Sequence, residues 1–292
     1  MRDRRMRDRR LVAVMCLALV GVVAQAQRAA PDVIPASGGN ITIIPITHGT
    51  LQIEHGTHVI LIDPARFGPG ATDPPPPPPP PAAGGAPPNG GNQNFTSMPA
   101  APAQMAVFKG LKPPTMILVT DIHEDHLDLG AIANLKKPAT IVVAPRAASS
   151  QVAGSTAIAN GETKTIDGVT IEAVPMYNLK PDPQFKQIFH TKGRGNGYVL
   201  TLGGKRLYIA GDTACTPEMK ALKNIDLAFL PMNLPFTMSP AEAAECARAF
   251  KPAIVYPYHY FGEDRNVFVA ALKGSGIDVR LRDWYVGVRP PQ

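Results

Sequence analysis

The seven histidines of this 292-residue sequence are not placed alike. The densest group of chemistry-bearing residues is Thr120-Asp121-Ile122-His123-Glu124-Asp125-His126, directly after an apolar run that ends at Val119. Asp121 and His123 alternate across a short extended stretch, while Asp125 and His126 can turn back toward the same point. Oxygen and nitrogen donors so close together suit a divalent metal, and ligand sites in α/β sheets gather just beyond the carboxyl ends of strands. The plain alternative is a solvated acidic turn with two surface imidazoles.

Two later segments have the same placement. Gly211-Asp212-Thr213 follows one apolar run and Pro257-Tyr258-His259-Tyr260 follows another, so each puts one metal-type ligand at a strand end. Alone, an Asp after Gly is a turn residue and a His between two Tyr is a packed side chain. Together and in this order they read as one site. Divalent metals acidify bound water toward pKa ~7 and polarise the bond under attack, which implies hydrolysis. The sequence offers no Gly-x-Ser-x-Gly elbow, no phosphate-binding Gly-rich loop and no supported Cys/His pair, so the metal route stands alone.

The elements that must position these residues follow from periodicity. Ile41–Ile44, Leu51–Glu54 and Val59–Asp63 read as a β-meander with a turn at His55-Gly56. From Gly68 to Pro102 the composition changes, with eight consecutive prolines at 74–81 and three Gly-Gly or Pro-Pro pairs after them. Such a stretch is part polyproline II and part flexible coil. With apolar strands on both sides, it reads as a loop at about 68–102 inserted into a single domain spanning 27–292. Two domains joined by a linker is the weaker reading, because 31–67 alone are too few residues to fold. The pattern then becomes α/β: strand Thr115–Val119, helix Leu127–Leu135, strand Thr140–Ala144, helix Arg146–Ala153, two short strands within 163–174, and a hairpin of Tyr198–Leu202 and Arg206–Ala210 turning at Gly203-Gly204. Helices start at Thr216-Pro217 and at Ser239-Pro240-Ala241-Glu242, the second a capping box, with strands Leu227–Leu230 and Ala253–Tyr256 around it.

Composition supplies the bounds. At 45% hydrophobic residues the chain can bury a full core. The formal charge of +6 rests on 29 Lys+Arg against 23 Asp+Glu, and residues 1–26 hold six Arg and two Asp, so the remainder is near neutral at +2. That balance argues against a nucleic-acid partner. Residues 1–26 read as a secretory signal: a charged start at Arg2–Arg10, an apolar run Leu11–Ala24 and the small-x-small site Ala24-Gln25-Ala26. The apolar run is too short for a ~20-residue span, and Val14-Met15 before Cys16 does not suit a lipoprotein. The expected location is periplasmic or secreted, with no stable membrane insertion once the signal is cleaved. Cys215 and Cys246 remain, and their spacing gives no support to a bridge between them.

The order of strand pair, Asp-Pro, H/D-x-H-x-D-H cluster, late Gly-Asp-Thr and final His resembles the metallo-β-lactamase-fold hydrolases. The resemblance covers roughly residues 40–285 apart from the insertion. Thr47-His48-Gly49, Ile62-Asp63-Pro64 and Tyr256-Pro257-Tyr258-His259-Tyr260 are most similar to the bacterial branch with ascorbate-lactonate hydrolases and N-acyl-phosphatidylethanolamine phospholipases. It implies an αβ/βα four-layer sandwich and two metal ions per chain, zinc first, manganese or iron as alternatives. It also implies His123 in a first metal site, Asp125, His126 and His259 in a second, Asp212 bridging both, and Asp125 as the catalytic residue that orients the hydroxide.

Two departures stand out. Asp121 occupies the place of the first His of the cluster, offering a harder oxygen donor. The third ligand of the first site falls at Pro175-Met176-Tyr177-Asn178, where Asn178 is the matching position and His190, twelve residues on, is favoured because an imidazole binds these metals better than an amide. His48 is a candidate substrate contact or a support behind a ligand, with a plain turn residue as the alternative; Asn178 is another candidate contact; Lys192 and Arg194 are a candidate clamp for an anionic substrate group, with a solvated basic loop the favoured reading. His55 and His58 flank a hairpin turn and read as exposed. The expected function is cleavage of a small ester, lactone or phosphodiester in the cell envelope. The rival is a non-catalytic metal- or ligand-binding protein with a degenerate site, motivated by Asp121 and the missing third His.

Overall fold

The computed structural model describes residues 28–65 and 102–285. The proposed signal, nearly all of the Pro/Gly-rich insertion and the last residues lie outside them. Two seven-stranded sheets face each other. The first runs β1 (Asp32–Ile34), β2 (Ile41–Thr47), β3 (Thr50–His55), β4 (His58–Ile62), β5 (Met116–Leu118), β6 (Ile141–Pro145) and β7 (Thr156–Ile158) in spatial order. Pairing is antiparallel from β1 to β4 and parallel from β4 to β7. The second sheet holds β8 (Thr163–Ile166), β9 (Val169–Met176), β10 (Gly195–Leu202), β11 (Lys205–Ile209), β12 (Leu227–Pro231), β13 (Ile254–Tyr258) and β14 (Asp278–Val279). It repeats the plan, antiparallel from β8 to β11 and parallel from β11 to β14.

The strands sort their side chains by the two-residue period of a strand. Ile60, Ile62, Met116, Leu118 and Val143 face the other sheet and enter the main core. Leu61, Ile117, Val119, Val142 and Ala144 point the opposite way, onto Leu127, Ile132 and Ala148 of the segments holding α1 (Leu129–Leu135) and α2 (Arg146–Ser149). The outer face of the second sheet is covered by α3 (Pro217–Lys220), α4 (Pro240–Phe250) and α5 (Arg265–Leu272), whose Met219, Ala243, Ala247, Phe250, Phe268 and Leu272 join the main core. The layers are helix, sheet, sheet, helix, the αβ/βα sandwich expected.

Local chemistry explains most boundaries. α4 begins as the capping box anticipated, Ser239 and Glu242 each satisfying the other's backbone N–H, with Pro240 at the first helical position. α3 is capped by Thr216, whose hydroxyl accepts from the Met219 N–H. α2 stops at Ser149 and not at Ala153, because one turn already buries Ala148 and the serines that follow are weak helix formers. β1, β7, β14 and α5 were not anticipated; the three strands have only two or three residues each, too few to show a period. His55 and His58 are half-buried, not exposed: His55 Nε2 donates to the Ser37 carbonyl at 2.9 Å, and His58 Nδ1 lies 3.6 Å from Asp167. Cys215 and Cys246 form a disulfide with Cα atoms 5.6 Å apart, which ties the segment after β11 to α4. Their spacing of 31 residues gave no hint, since the fold brings the two together. No helix among the described residues is long and apolar enough to cross a membrane.

Candidate metal centre

One rim of the two facing sheets collects the carboxyl ends of β4, β5, β9, β11 and β13. Asp63 follows β4, Thr120–His126 follow β5, Asn178 and His190 lie between β9 and β10, Asp212 follows β11, and His259 follows β13. His48 sits in the turn between β2 and β3. The donors therefore reach one point from sequence positions as far apart as His48 and His259 because five strands end there.

Two groups of donors form on that rim. Asp125, His126, Asp212 and His259 make one, and Asp121, His123 and His190 the other; within each group the ligand atoms lie within 4.8 Å of one another. Asp212 stands between them. Its Oδ2 is 3.3 Å from His126 Nε2 and 3.4 Å from His190 Nε2, and its Oδ1 is 3.2 Å from His259 Nε2. In the first group Asp125 Oδ2 is 3.7 Å from His126 Nε2 and 3.4 Å from His259 Nε2. In the second, His123 Nδ1 is 3.0 Å from Asp121 Oδ2 and 3.2 Å from His190 Nε2.

Every residue assigned by sequence to a metal site is thus brought to this rim, where Asn178 and His190 differ in their contacts. His190 points its Nε2 at the centre. Asn178 does not: its Oδ1 accepts from the His190 N–H at 2.8 Å and from His190 Nδ1 at 3.1 Å, and its amide donates to the Phe236 carbonyl at 2.8 Å. With both ends of its amide engaged, Asn178 holds the His190 ring. Lys192 pairs with Glu218 at 2.5 Å and lies over the Tyr177 ring. Arg194 turns onto Asp121. Both cations are thus paired with carboxylates.

Residues outside the ligand set fix the ligands. Asp63 Oδ2 accepts from His126 Nδ1 at 2.8 Å, and Thr120 donates to the same carboxylate through its backbone N–H at 2.7 Å and its hydroxyl at 2.6 Å. With Nδ1–H held this way, His126 turns its Nε2 lone pair to the centre, the carboxylate–histidine arrangement typical of metal ligands. His48 Nε2 donates to Asp125 Oδ2 at 3.1 Å, which leaves Nδ1 to accept from the Tyr285 hydroxyl at 2.6 Å. Asp63 had a weak signal in Ile62-Asp63-Pro64. Tyr285 had none, lying 237 residues from its partner. His48, Asp63 and His259 have left-handed backbone, φ 46°, 43° and 47°, a conformation uncommon outside glycine and concentrated at functional sites. Gly211 before Asp212 is also left-handed, and a Cβ there would meet Met176 Sδ at 2.5 Å, so only glycine brings Asp212 onto the rim.

Charge decides what the rim can hold. Burial works against ionisation of Asp121, Asp125 and Asp212, yet the imidazoles beside each, and for Asp121 also Arg194, hold all three well below the usual carboxylate range. Burial likewise opposes a charge on His126, but Asp212, Asp125 and Asp63 outweigh it and push that imidazole well above its ordinary value. Burial and the neighbouring His259 bring His48 down to about 4, so it is neutral. Three carboxylates converge here on four imidazoles, the oxygen and nitrogen donors that divalent metals take. His126 Nε2 and Asp212 Oδ1 are also buried polar atoms with no hydrogen-bond partner, both facing the shared point. The donor set therefore fits divalent metal.

The family model of the Beta-lactamase superfamily domain matches residues 42–259, which hold most of both sheets and all seven residues of the two donor groups. The chain belongs to the β-lactamase superfamily. Among its superfamily relatives, a UPF0173 metal-dependent hydrolase from Deinococcus radiodurans is 26% identical over 83% of this chain and 96% of its own length. Another from Pyrococcus abyssi is 34% identical over 56% of this chain and 73% of its own. A candidate metal-dependent hydrolase from Parabacteroides distasonis superposes with a TM-score of 0.68 at 36% identity, covering 89% of this chain and all of that one. The metallo-beta-lactamase fold protein YhfI from Bacillus subtilis shares the fold, with a TM-score of 0.55 at 14% identity over 87% of this chain and 95% of its own. This superfamily member is a metal-dependent hydrolase. The binding-protein alternative was motivated by Asp121 and the missing third His; the structure keeps Asp121 on the rim and brings the His190 imidazole beside it.

Proposed function

We propose that the chain hydrolyses a small ester or lactone, with phosphodiesters as the next class, using two divalent metal ions, zinc first. Asp125, His126 and His259 would hold one ion, Asp121, His123 and His190 the other, and Asp212 would serve both. A bound divalent metal supplies an acidified water near pKa ~7 and polarises the bond under attack.

The chain's own residues do the rest. Asp125 has a side chain 26% exposed, against 3% for Asp212 and 0% for Asp121, so among these carboxylates it is the one that reaches incoming water and substrate. That difference in exposure carries the assignment of Asp125 as the catalytic residue, which accepts a hydrogen bond from the attacking water and holds its orientation. His48, neutral and donating from Nε2, keeps Asp125 Oδ2 turned inward, and Tyr285 keeps His48 in that tautomer. The loops beside His190 support an uncharged substrate: Leu179, Ile188 and Leu234 are exposed, Phe189 packs on Phe185 and Phe236, and Lys192 is already paired.

Export to an oxidising compartment belongs to the same proposal. The Cys215–Cys246 disulfide supports it, because such bonds persist mainly outside the cytosol. Chromogenic esters, lactones, phosphodiesters and β-lactams, each assayed with zinc and with manganese, test the substrate class. Turnover of an ester or lactone is the expected result, and turnover confined to β-lactams would overturn it.

A further inference from the structure

The two halves of the centre differ in one charged side chain. Both oxygens of Asp121 accept from Arg194, Nε to Oδ1 at 3.1 Å and Nη2 to Oδ2 at 2.7 Å. Nη2 also lies 3.2 Å from His123 Nδ1. Among the described residues no Lys or Arg bonds to Asp125 or Asp212. Arg194 is four residues beyond His190, so one short loop brings to the rim both a ligand and a fixed positive charge. The loop can sit this close because of Gly195, where a Cβ would meet Met176 Cε at 2.1 Å and the Thr120 carbonyl at 2.8 Å.

We propose that Arg194 sets the metal affinity of the Asp121, His123 and His190 group, making the centre asymmetric: one tightly held ion and one exchangeable ion. This rests on reading the cluster as a metal centre. The Asp121–Arg194 pair is neutral as a unit, like an imidazole, so the second group attracts a cation less than its bare carboxylate would. A metal there also competes with the guanidinium for Asp121 oxygens, since a bidentate Arg fork occupies both. Among the described residues no Lys or Arg stands in the way in the other group. Arg194 acts through Asp121 and is a positioning residue.

The inference is tested by zinc titration of chelator-stripped protein against a chromophoric competitor. The native chain is expected to take up zinc in two steps separated by at least about tenfold in affinity, the scale on which groups behind a ligand tune metal sites. Arg194→Gln is expected to leave the tight step unchanged and to tighten the weak step about tenfold, because both Asp121 oxygens are then released from the guanidinium fork. Its metal-free melting temperature should fall and recover on zinc addition. Arg194→Lys, which keeps the charge without the fork, should fold and retain the weak step. Two equal steps in the native chain would overturn the proposal whether or not the Gln variant folds, as would a weak step loosened or unmoved in that variant. A native chain that folds yet binds no zinc would overturn the metal-centre reading itself.

Discussion

Asp63 Oδ2 and His126 Nδ1 lie 2.8 Å apart, both fully buried, at the ends of neighbouring strands. The contact turns the ring so that Nε2 meets Asp212, and Thr120 fixes the carboxylate from its other side. Asp63→Asn keeps the shape and removes the charge. It should lower zinc affinity by about 10- to 100-fold, measured by competition with a chelator, with secondary structure unchanged by circular dichroism. Unchanged affinity would show that Asp63 serves only the fold.

Asp125→Asn should abolish hydrolysis while the protein stays folded, because the change removes a carboxylate charge at nearly constant shape. Turnover by purified variant and native protein on the best substrate of the panel checks this. Native turnover in the variant would remove Asp125 from the mechanism.

Tyr285→Phe deletes the hydroxyl that donates to His48 Nδ1 and accepts from the Phe261 N–H at 3.1 Å. The ring remains packed against Tyr260 and Phe261, so the loss of stability should stay at about 1 kcal/mol. The expected effect is a loss of about tenfold in kcat, or about 1.4 kcal/mol, with KM nearly constant, because Asp125 is less firmly oriented. An effect on KM alone would place Tyr285 in substrate binding.

Asp32, in the first strand, accepts from the Tyr256 hydroxyl at 2.7 Å, Arg280 at 3.0 Å and Arg282 at 2.6 Å. Burial pushes its carboxyl up, but Tyr256 and the two guanidiniums outweigh it and hold the group below the usual range. A depressed folded value means the stabilisation is present above the unfolded value of about 3.9 and is lost as pH falls through the folded one. Asp32→Asn should cost about 1–2 kcal/mol at neutral pH after allowing for solvent screening. The melting temperatures of native and variant should converge as pH drops below about 4. A gap that stays constant down to pH 2 would contradict the assignment.

Reduction of the Cys215–Cys246 bond should lower stability by up to about 3–4 kcal/mol, the chain-entropy figure for its 31-residue separation. Denaturant unfolding with and without reductant measures this. A difference near zero would show that the segment after Asp212 is held by packing alone.

Much of the site was legible because metal ligands need particular residue types. Asp121, His123, Asp125 and His126 announce themselves within one short segment, and Asp212 and His259 by their place after apolar strands. The layered fold was legible for a similar reason, since strands such as β4 and β5 alternate between two buried faces. What escaped has no type requirement. Asp63 is distinctive only once β4 and β5 are known to be parallel neighbours, and Tyr285 only once the end of the chain is folded over His48. Asn178 and His190 had to be told apart by where the amide points, which depends on the Phe236 carbonyl. The Cys215–Cys246 bond depends in the same way on α4 lying beside the segment after β11.

The central claim is that Asp212 joins two groups of donors into one hydrolytic metal centre. Equilibrium dialysis of stripped protein against zinc, paired with Asp212→Ala, tests it most directly. The account predicts two zinc ions per native chain, at most one in the folded variant, and hydrolysis that appears only in the loaded native protein. A folded native chain that binds no zinc or manganese at saturating concentration, or that hydrolyses its substrate equally well when stripped, would contradict it.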